Sequence, residues 1–183
     1  MRDLDGVRVA MVVAFEGFRD EELFLPRGIL ERRGASVTVL SDRTGTAVGR
    51  LGGTCEVRDL IGTARAADYA AVVFVGGPGI RAYALRPDCL ALAREAADGA
   101  KIVAAICAAG AILAHAGVLR GRRATCYPTE GEVLRKAGAS YTGQALEVDK
   151  NVITADGPQA SSRFGAAVAD AVVRHRRSVP VRG

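Results

Sequence analysis

Cys107 is the residue of this sequence with the clearest potential for chemistry. It lies between an apolar segment and a predicted helix, in the stretch Ala-Ile-Cys-Ala-Ala-Gly that ends at Gly110. Small residues two before and two after a nucleophile permit a sharp strand–turn–helix, called a nucleophile elbow. A helix N-terminus beside the sulfur favours the thiolate, which is the reactive form. A buried, inert cysteine at a helix start is the alternative, and spacing alone leaves both open.

Two further features could complete a site around Cys107. Gly76-Gly77 follows an apolar strand, and its N–H groups could form an oxyanion hole with that of Ala108, although a plain tight turn fits equally well. Glu22 lies in an acidic segment, residues 16–22, at the start of a predicted helix. Most of these carboxylates are explained by the helix dipole. One that reached the sulfur would instead donate a hydrogen bond or shuttle a proton.

Histidine, the usual base for such a cysteine, is scarce in this chain. His115 follows Cys107 by eight residues, or roughly 12 Å along a helix axis, and we interpret it as structural. His175 belongs to the basic C-terminal segment. The sequence therefore predicts a cysteine site without a histidine base from the same chain.

Apolar segments that alternate with helical patterns must position these residues. Nearly continuous apolar runs predict strands buried on both faces, and periodic segments closed by glycine predict helices. The predicted strands are 7–15, 37–40, 70–75, 101–106, 123–127, 144–148 and 152–154, and the predicted helices are 20–33, 87–98, 108–116, 129–136 and 161–174. Residues 41–53 are predicted to be a loop or a small hairpin. This alternation indicates a mostly parallel sheet covered on both faces, with ligands beyond the carboxyl ends of its strands.

Length and charge indicate one domain and exclude some partners. The chain has 183 residues, which fits a single domain over 1–183, and 49% are hydrophobic. Tryptophan is absent and aromatic residues make up 5%, which counts against a stacking platform for single-stranded nucleic acid. Four of the five excess positive charges lie in residues 174–183, interpreted as a solvated, frayed basic tail. We therefore expect no nucleic-acid or membrane partner. These four charges are Arg174, Arg176, Arg177 and Arg182.

The cysteines and the apolar segments indicate the cellular compartment of the protein. Four cysteines occur without a C-x-x-C pair or partnering histidines, so we expect neither a zinc site nor a disulfide framework. No segment has the length of a membrane span or the pattern of a signal peptide, and we expect a cytoplasmic protein. Cys126 ends an apolar segment, which favours a core position over a role as resolving thiol.

The ordered set of motifs resembles the DJ-1/PfpI (ThiJ) superfamily from Val7 to about Val173. The resemblance rests on five stretches, namely 20–26, 73–77, 104–110, 114–123 and 125–128. It implies a flavodoxin-like three-layer α/β sandwich, with a mostly parallel sheet, helices on both faces and a nucleophile elbow. It also implies self-association, usually as a homodimer and sometimes as a hexamer.

The resemblance assigns roles to particular residues. Cys107 matches the reactive elbow cysteine, and Glu22, four residues before a proline, matches the normally protonated carboxyl that hydrogen-bonds it. Gly77 and Ala108 match backbone donors that face the site. Arg32 falls where the DJ-1 branch has an arginine near the dimer interface and its anion pocket.

Other pocket residues include departures from the family pattern. Gly76, Tyr127 and Pro158 are expected to line the pocket, but Tyr127 stands where the DJ-1 branch has a histidine. Asp156, two residues before Pro158, replaces an arginine of that branch and changes the charge near the pocket. In the PfpI peptidase branch a histidine follows the cysteine, and here that residue is alanine. By a gapless count, Arg81 replaces the glutamate that the neighbouring subunit supplies in that branch.

These residues favour an enzyme over two other classes of protein. The favoured reading is a cofactor-free, cysteine-dependent enzyme acting on small electrophilic carbonyl compounds, with glutathione-independent glyoxalase or deglycase activity or a related hydrolase or hydratase activity. The first alternative is a non-enzymatic stress protein, a redox sensor or chaperone, in which Cys107 is oxidised to a sulfinate. A catalytically silent binding subunit is the second. A peptidase or amidase is less expected because the histidine after the cysteine is missing.

Overall fold

A computed structural model of the chain describes residues 2–178. Most of its strands join one central sheet, and its helices flank that sheet. Over these residues the strands are β1 (Arg8–Val12), β2 (Glu16–Phe18), β3 (Ser36–Ser41), β4 (Gly45–Gly49), β5 (Thr54–Val57), β6 (Asp59–Leu60), β7 (Ala71–Phe74), β8 (Ile102–Ile106), β9 (Arg123–Ala124), β10 (Ser140–Tyr141), β11 (Leu146–Asp149) and β12 (Val152–Ala155). The α-helices are α1 (Asp20–Arg32), α2 (Pro87–Asp98), α3 (Gly110–His115), α4 (Gly131–Lys136) and α5 (Ser161–Ser178).

The central sheet has the order β11-β12-β8-β7-β1-β3-β6. Every pairing in it is parallel except that of β11 with β12. Strands β7, β8 and β12 are buried along their whole length, as their apolar runs predict. Helices α1 and α5 pack together in one layer, and α2 packs with α3 in the other. The predicted flavodoxin-like α/β sandwich is confirmed.

The chain reverses its direction across the sheet between β1 and β7. The connection from β1 leads outward to β3, whereas the connection from β7 leads the opposite way to β8. Because such crossovers are right-handed, the two connections place their helices on opposite faces and leave a crevice at the carboxyl ends of the strands. The segments that follow β1, β7 and β8 meet there, as the sequence predicts.

A small three-stranded sheet, β2-β4-β5, lies beside the start of α1. Its β4–β5 pair is a hairpin that begins in the segment 41–53, where a loop or small hairpin was predicted, but its second strand lies beyond that segment. The buried carboxylate of Asp20 accepts hydrogen bonds from the N–H groups of Leu51 (2.8 Å) and Gly53 (2.7 Å) in the hairpin turn. This contact fixes the turn against the first residue of α1.

Helices α1 and α5 approach each other closely at Pro26 and Gly165. A methyl group in place of the Gly165 hydrogen would lie 2.7 Å from Cα of Pro26. Glycine at this position therefore lets the last helix pack directly on the first. The buried Phe164 and Val168 extend the contact of α5 with the core.

Two predicted strands are much shorter in the structure. The strand predicted over 7–15 ends at Val12, and residues 16–18 join the small sheet instead. The strand predicted over 123–127 contains only β9, because β9 pairs with β10 outside the central sheet and the chain turns at a proline.

The predicted frayed tail is wrong for its first five residues, because α5 continues to Ser178 and only the remainder, with Arg182, lies outside the described residues. Basic side chains in the last turn of α5 interact favourably with the negative end of the helix dipole. This interaction helps the helix continue beyond its predicted end at residue 174. None of the helices over residues 2–178 has the length and apolar character needed to cross a membrane.

Candidate active site

Cys107 begins the turn that follows β8. Its φ is +61°, a left-handed conformation that costs a non-glycine residue roughly 1–2 kcal/mol. A short 3-10 helix, Cys107–Ala109, leads from the strand into α3. The Tyr127 N–H donates a hydrogen bond to the Cys107 carbonyl at 3.2 Å and holds the turn from the other side. The predicted nucleophile elbow, with its strained backbone, is confirmed.

The small residues around the elbow are required by close packing. A methyl group at Gly110 would lie 2.8 Å from Cβ of Cys126, so a larger residue there would push the elbow away from its neighbour. Ala109 is fully buried between these segments. Glycine at position 110 therefore lets the start of α3 pack directly against Cys126.

The Gly76-Gly77 turn holds the start of α1 against the elbow. A methyl group at Gly76 would overlap the Glu22 carboxyl and would lie 2.6 Å from Cβ of Cys107. Gly77 has φ +113°, and a methyl group there would lie 2.6 Å from the Gly17 carbonyl oxygen. The Arg19 N–H donates to the Gly76 carbonyl at 2.9 Å. Glycine at both positions allows the turn, the helix start and the elbow to meet.

Glu22 projects from the first turn of α1 into the space beside Cys107. Its side chain is fully buried, and neither carboxyl oxygen has a protein hydrogen-bond partner of normal geometry within residues 2–178. Burial raises the pKa of Glu22 to about 7, while the nearby Cys107 thiol, the Gly76 N–H and the Arg19 charge act in the lowering direction. This carboxyl therefore changes protonation near neutral pH and can both give and take a proton.

The surroundings of Cys107 raise its pKa rather than lower it. Burial, followed by the negative charge of Glu22, raises the pKa of the Cys107 thiol to about 12, against the lowering effect of the Ala108 and Gly77 N–H groups. The N–H group of Ala108 at the helix start acts in the predicted, lowering direction, but burial and Glu22 outweigh it. Helix α3 has only six residues and begins after a 3-10 turn, so its dipole is too small to outweigh burial.

Cys107 and Glu22 lie beside each other, and each contributes to the pKa shift of the other, so the two groups titrate as a coupled pair. Transfer of the thiol proton to an ionised Glu22 leaves the charge of the pair unchanged and produces a thiolate beside a neutral carboxyl. That thiolate faces the N–H groups of Gly77 and Ala108, whereas the ionised carboxyl has no comparable set of donors. The pair can therefore present a nucleophile without burying a second charge.

A cavity of about 220 Å³ opens above the sulfur, below the roughly 300–1,000 Å³ of clefts that take drug-sized ligands. Most of the predicted site residues are brought together around it. Its lining consists of Arg19, Glu22, Gly77, Pro78, Arg81, Cys107, Ala108, Tyr127 and Pro158. Gly76 lies against the Glu22–Cys107 pair beneath this lining. Arg32 lies in the last turn of α1, outside the lining, and its assignment to an anion pocket stays a prediction.

Sequence reasoning did not assign Arg19 or Arg81 to the pocket. Arg19 forms an ion pair with Glu21 at 2.8 Å, and Arg81 forms one with Glu130 at 3.0 Å. Both arginines lie just beyond strand ends on the chain, Arg19 directly after β2 and Arg81 in the 3-10 segment Pro78–Tyr83 that follows the glycine turn. A position just beyond a strand end is therefore the sequence feature that could have assigned these arginines to the pocket.

The remaining candidate residues lie away from the cavity lining. His115 is exposed, and within residues 2–178 no histidine lines the cavity. Cys126 is fully buried beside Gly110, and burial raises the pKa of its thiol to about 12. The interpretation of Cys126 as a core residue therefore agrees with its surroundings.

Fold and site together define a class of protein: a flavodoxin-like α/β sandwich with a strained elbow cysteine that faces a buried carboxyl. The model of the DJ-1/PfpI family matches residues 7–171, and the chain belongs to this family. An uncharacterized protein of Methanocaldococcus jannaschii is 39% identical over 94% of this chain and 86% of its own length. A Pyrococcus horikoshii protein named as a deglycase is 31% identical over 83% of this chain and 91% of its own length. The crystal structure of a ThiJ/PfpI domain protein from Brachyspira murdochii, 32% identical, superposes with a TM-score of 0.88 and covers 94% of this chain and 98% of that one.

Proposed function

We propose that this protein is a cysteine-dependent enzyme that converts small α-dicarbonyl compounds, or their adducts, to hydroxy acids, a glyoxalase- or deglycase-like activity. The observation that carries the proposal is the convergence of three features at one cavity. Cys107 lies on a strained elbow, the Gly77 and Ala108 N–H groups face its sulfur, and Glu22 changes protonation near pH 7 beside it. Relatives named as deglycases at about 30% identity support the same reaction class.

The first step is addition of the Cys107 sulfur to the aldehyde carbon of a compound such as methylglyoxal. The carbonyl oxygen gains negative charge as the carbon–sulfur bond forms, and the N–H groups of Gly77 and Ala108 are placed to stabilise it. Neutral Glu22 then gives its proton to that oxygen, which yields a hemithioacetal. An amine adduct of the aldehyde enters at the same point when sulfur displaces the amine.

The second step is an isomerisation within the bound molecule. Glu22, now ionised, removes the proton from the first carbon and delivers a proton to the second carbon. The hydroxyl proton of the first carbon also moves to the oxygen of the second carbon. The first carbon thereby becomes a thioester carbonyl and the second becomes a hydroxyl-bearing carbon, so one carbon is oxidised and its neighbour is reduced. Water hydrolyses the thioester, releases lactate and restores the thiol. Since a positioned acid or base contributes about 10²–10⁴-fold, the missing histidine predicts a slow enzyme.

Lactate formation from methylglyoxal at pH 7, followed by proton NMR, tests this proposal. We expect wild-type protein to produce lactate, and Cys107→Ser and Glu22→Gln to lose most of the activity. Cys126→Ser is the matched control, because Cys126 is buried outside the cavity lining and its loss should leave turnover nearly unchanged. Absence of turnover in the wild type, or unchanged turnover in Cys107→Ser, would overturn the proposal.

A non-enzymatic redox role is the second candidate, and one observation favours it. A buried Glu22 that is neutral near pH 7 and lacks a protein partner of normal geometry can donate a hydrogen bond to an oxidised Cys107 sulfinate. Mass spectrometry after peroxide treatment separates the two roles. Glutamine at position 22 still donates to sulfur but cannot shuttle protons. Oxidation at Cys107 that survives Glu22→Gln, in a protein without turnover, would favour the redox role.

The expected self-association stays a prediction. Phe24 and Leu25 of α1 and Val48 of the hairpin are exposed, and a second copy of the chain would cover such apolar side chains. Sedimentation velocity of the purified protein, compared with Leu25→Glu, measures it. A monomer at all concentrations would contradict the prediction.

A further inference from the structure

Two arginines contribute to the wall of the cavity above Cys107. Arg19 precedes α1, and Arg81 belongs to the 3-10 segment that follows the glycine turn. The Arg81 guanidinium carbon lies 6.0 Å from the centroid of the Tyr127 ring, and that ring also lines the cavity. The two cations therefore come from separate segments of the chain and converge on one small space.

The charges that balance these arginines lie outside the cavity lining. Arg19 donates to both oxygens of Glu21, at 2.8 and 3.1 Å, through Nε and Nη2. Arg81 donates through Nε to Glu130 at 3.0 Å and through Nη2 to Thr129 at 3.2 Å. Within residues 2–178, Nη1 of each arginine makes no hydrogen bond to protein, so each retains donors for a ligand.

Among the described residues that line the cavity, Glu22 carries the carboxyl, and burial raises its pKa to about 7. Below that pH Glu22 is mostly neutral, which leaves the two arginines as the charged groups of the lining. The pKa of Arg19 is raised first by its bond to Glu21, and also by the charges of Glu22 and Cys107, which shows that Arg19 is close enough to sense the reacting pair. The surface that a substrate meets is therefore positively charged.

We propose that this cavity selects carbonyl compounds or adducts that carry a carboxylate, which Arg19 and Arg81 bind while the carbonyl carbon, a few bonds from that carboxylate, faces Cys107. The proposal rests on the proposed function and narrows its substrate class. Arginine suits this role because its planar donors match a carboxylate. The small volume restricts the carboxylate to a position a few bonds from the reacting carbon.

Alkylation of Cys107 with iodoacetate and iodoacetamide tests the charge preference directly and needs no turnover. In both reagents the sulfur attacks the same kind of carbon and iodide leaves, but only iodoacetate carries a carboxylate. We expect the iodoacetate-to-iodoacetamide rate ratio at Cys107 to exceed that of 2-mercaptoethanol by about tenfold. Arg81→Gln and Arg19→Gln should each lower the ratio about threefold or more, and Arg81→Lys should largely retain it.

Arg43→Gln is the matched control for these variants. Arg43 forms an ion pair with Glu16 at 3.0 Å and stacks over Phe15, much as Arg81 pairs with Glu130 and approaches Tyr127, but it does not line the cavity. Its loss should leave the rate ratio unchanged. A wild-type ratio equal to that of 2-mercaptoethanol, or an equal change in all three arginine variants, would overturn the proposal.

A turnover comparison separates this proposal from the proposed function. The two substrates are the hemithioacetals of methylglyoxal with N-acetylcysteine, which carries a carboxylate, and with N-acetylcysteinamide, which does not. We expect kcat/KM to be about tenfold higher for the first. Equal values would remove the carboxylate preference and leave the proposed function intact. If neither compound is turned over, the proposed function fails, and the alkylation ratio still decides whether the cavity prefers a carboxylate.

Discussion

The turns at Cys107 and Cys126 lie beside each other and differ in what surrounds the sulfur. Both cysteines are buried, both follow strands, and burial raises both pKa values to about 12. Cys107 has a positive φ, faces two N–H groups and a protonatable carboxyl, and opens onto a cavity. Cys126 fills the space beside Gly110. The comparison teaches that burial and pKa do not distinguish the two thiols, whereas the polar groups that face the sulfur do.

Replacement of each cysteine by alanine should give the largest contrast. Cys107→Ala removes the nucleophile, and we expect activity to fall by at least about 10³-fold with little change in fold. Cys126→Ala should keep activity within a few fold but lower the free energy of unfolding by about 1–2 kcal/mol, because it leaves a small cavity in the core. Turnover assays and urea unfolding of both variants measure this. Equal loss of activity in the two would break the comparison.

Glu22→Gln should stabilise the protein above neutral pH while it impairs activity. Because the pKa of Glu22 rises from 4.5 to about 7 on folding, the folded protein binds more protons than the unfolded chain between these values. Ionised Glu22 therefore destabilises the fold as pH rises through this window, by up to about 3 kcal/mol at pH 8. Urea unfolding of wild type and variant should show a higher free energy of unfolding for the variant at pH 8 and no difference at pH 4. A gain of the same size at both values would contradict the buried, ionisable carboxyl.

Gly76→Ala should destabilise the protein by about 2 kcal/mol and reduce activity as well. The new methyl group would overlap the Glu22 carboxyl and push against Cys107. Gly62→Ala is the matched control, since a methyl group there meets its nearest neighbour only at 3.8 Å. Thermal unfolding and turnover of both variants sharpen the contrast between the site and an ordinary glycine. A tolerated Gly76→Ala would show that the turn and the elbow do not touch as described.

The smallest expected effect concerns the difference in free energy of unfolding between a glycine and an alanine variant. This difference should have opposite signs at positions 107 and 126. At position 107 the φ of +61° strains alanine, so Cys107→Gly should be more stable than Cys107→Ala by about 1 kcal/mol. Position 126 is not among the residues with positive φ, so Cys126→Gly should be less stable than Cys126→Ala. Urea unfolding of the four variants measures both differences. If the stability difference has the same sign at both positions, the backbone at Cys107 is not strained.

Much of this architecture could be predicted from local sequence signals. Continuous apolar runs gave the buried strands β7 and β8, and the 87–98 segment has the bounds of α2. The elbow at Cys107 and the glycine turn follow from steric rules that operate within a few residues. Motif resemblance then supplied the partners that are distant in sequence, such as Glu22 and Pro158.

The features that could not be predicted depend on packing between distant segments. The pKa of Cys107 reflects how deeply the elbow is buried and which way Glu22 points, and neither is encoded locally. Arg19 and Arg81 enter the cavity wall because two loops converge, while in sequence Arg19 stands beside an acidic segment and Arg81 among apolar residues. Strand β6 has only two residues, too few to give a pattern.

The close packing of α5 on α1 has a consequence for the order in which the chain acquires its chemistry. Glu22 is carried by the helix that Gly165 contacts at Pro26, and α5 is translated after every residue that lines the cavity. During synthesis, Cys107 leaves the ribosome before the segment that holds α1 in place. Because contacts between segments distant in sequence are slow to form, we expect the Glu22–Cys107 arrangement to be completed only after the last helix has been synthesised and has docked.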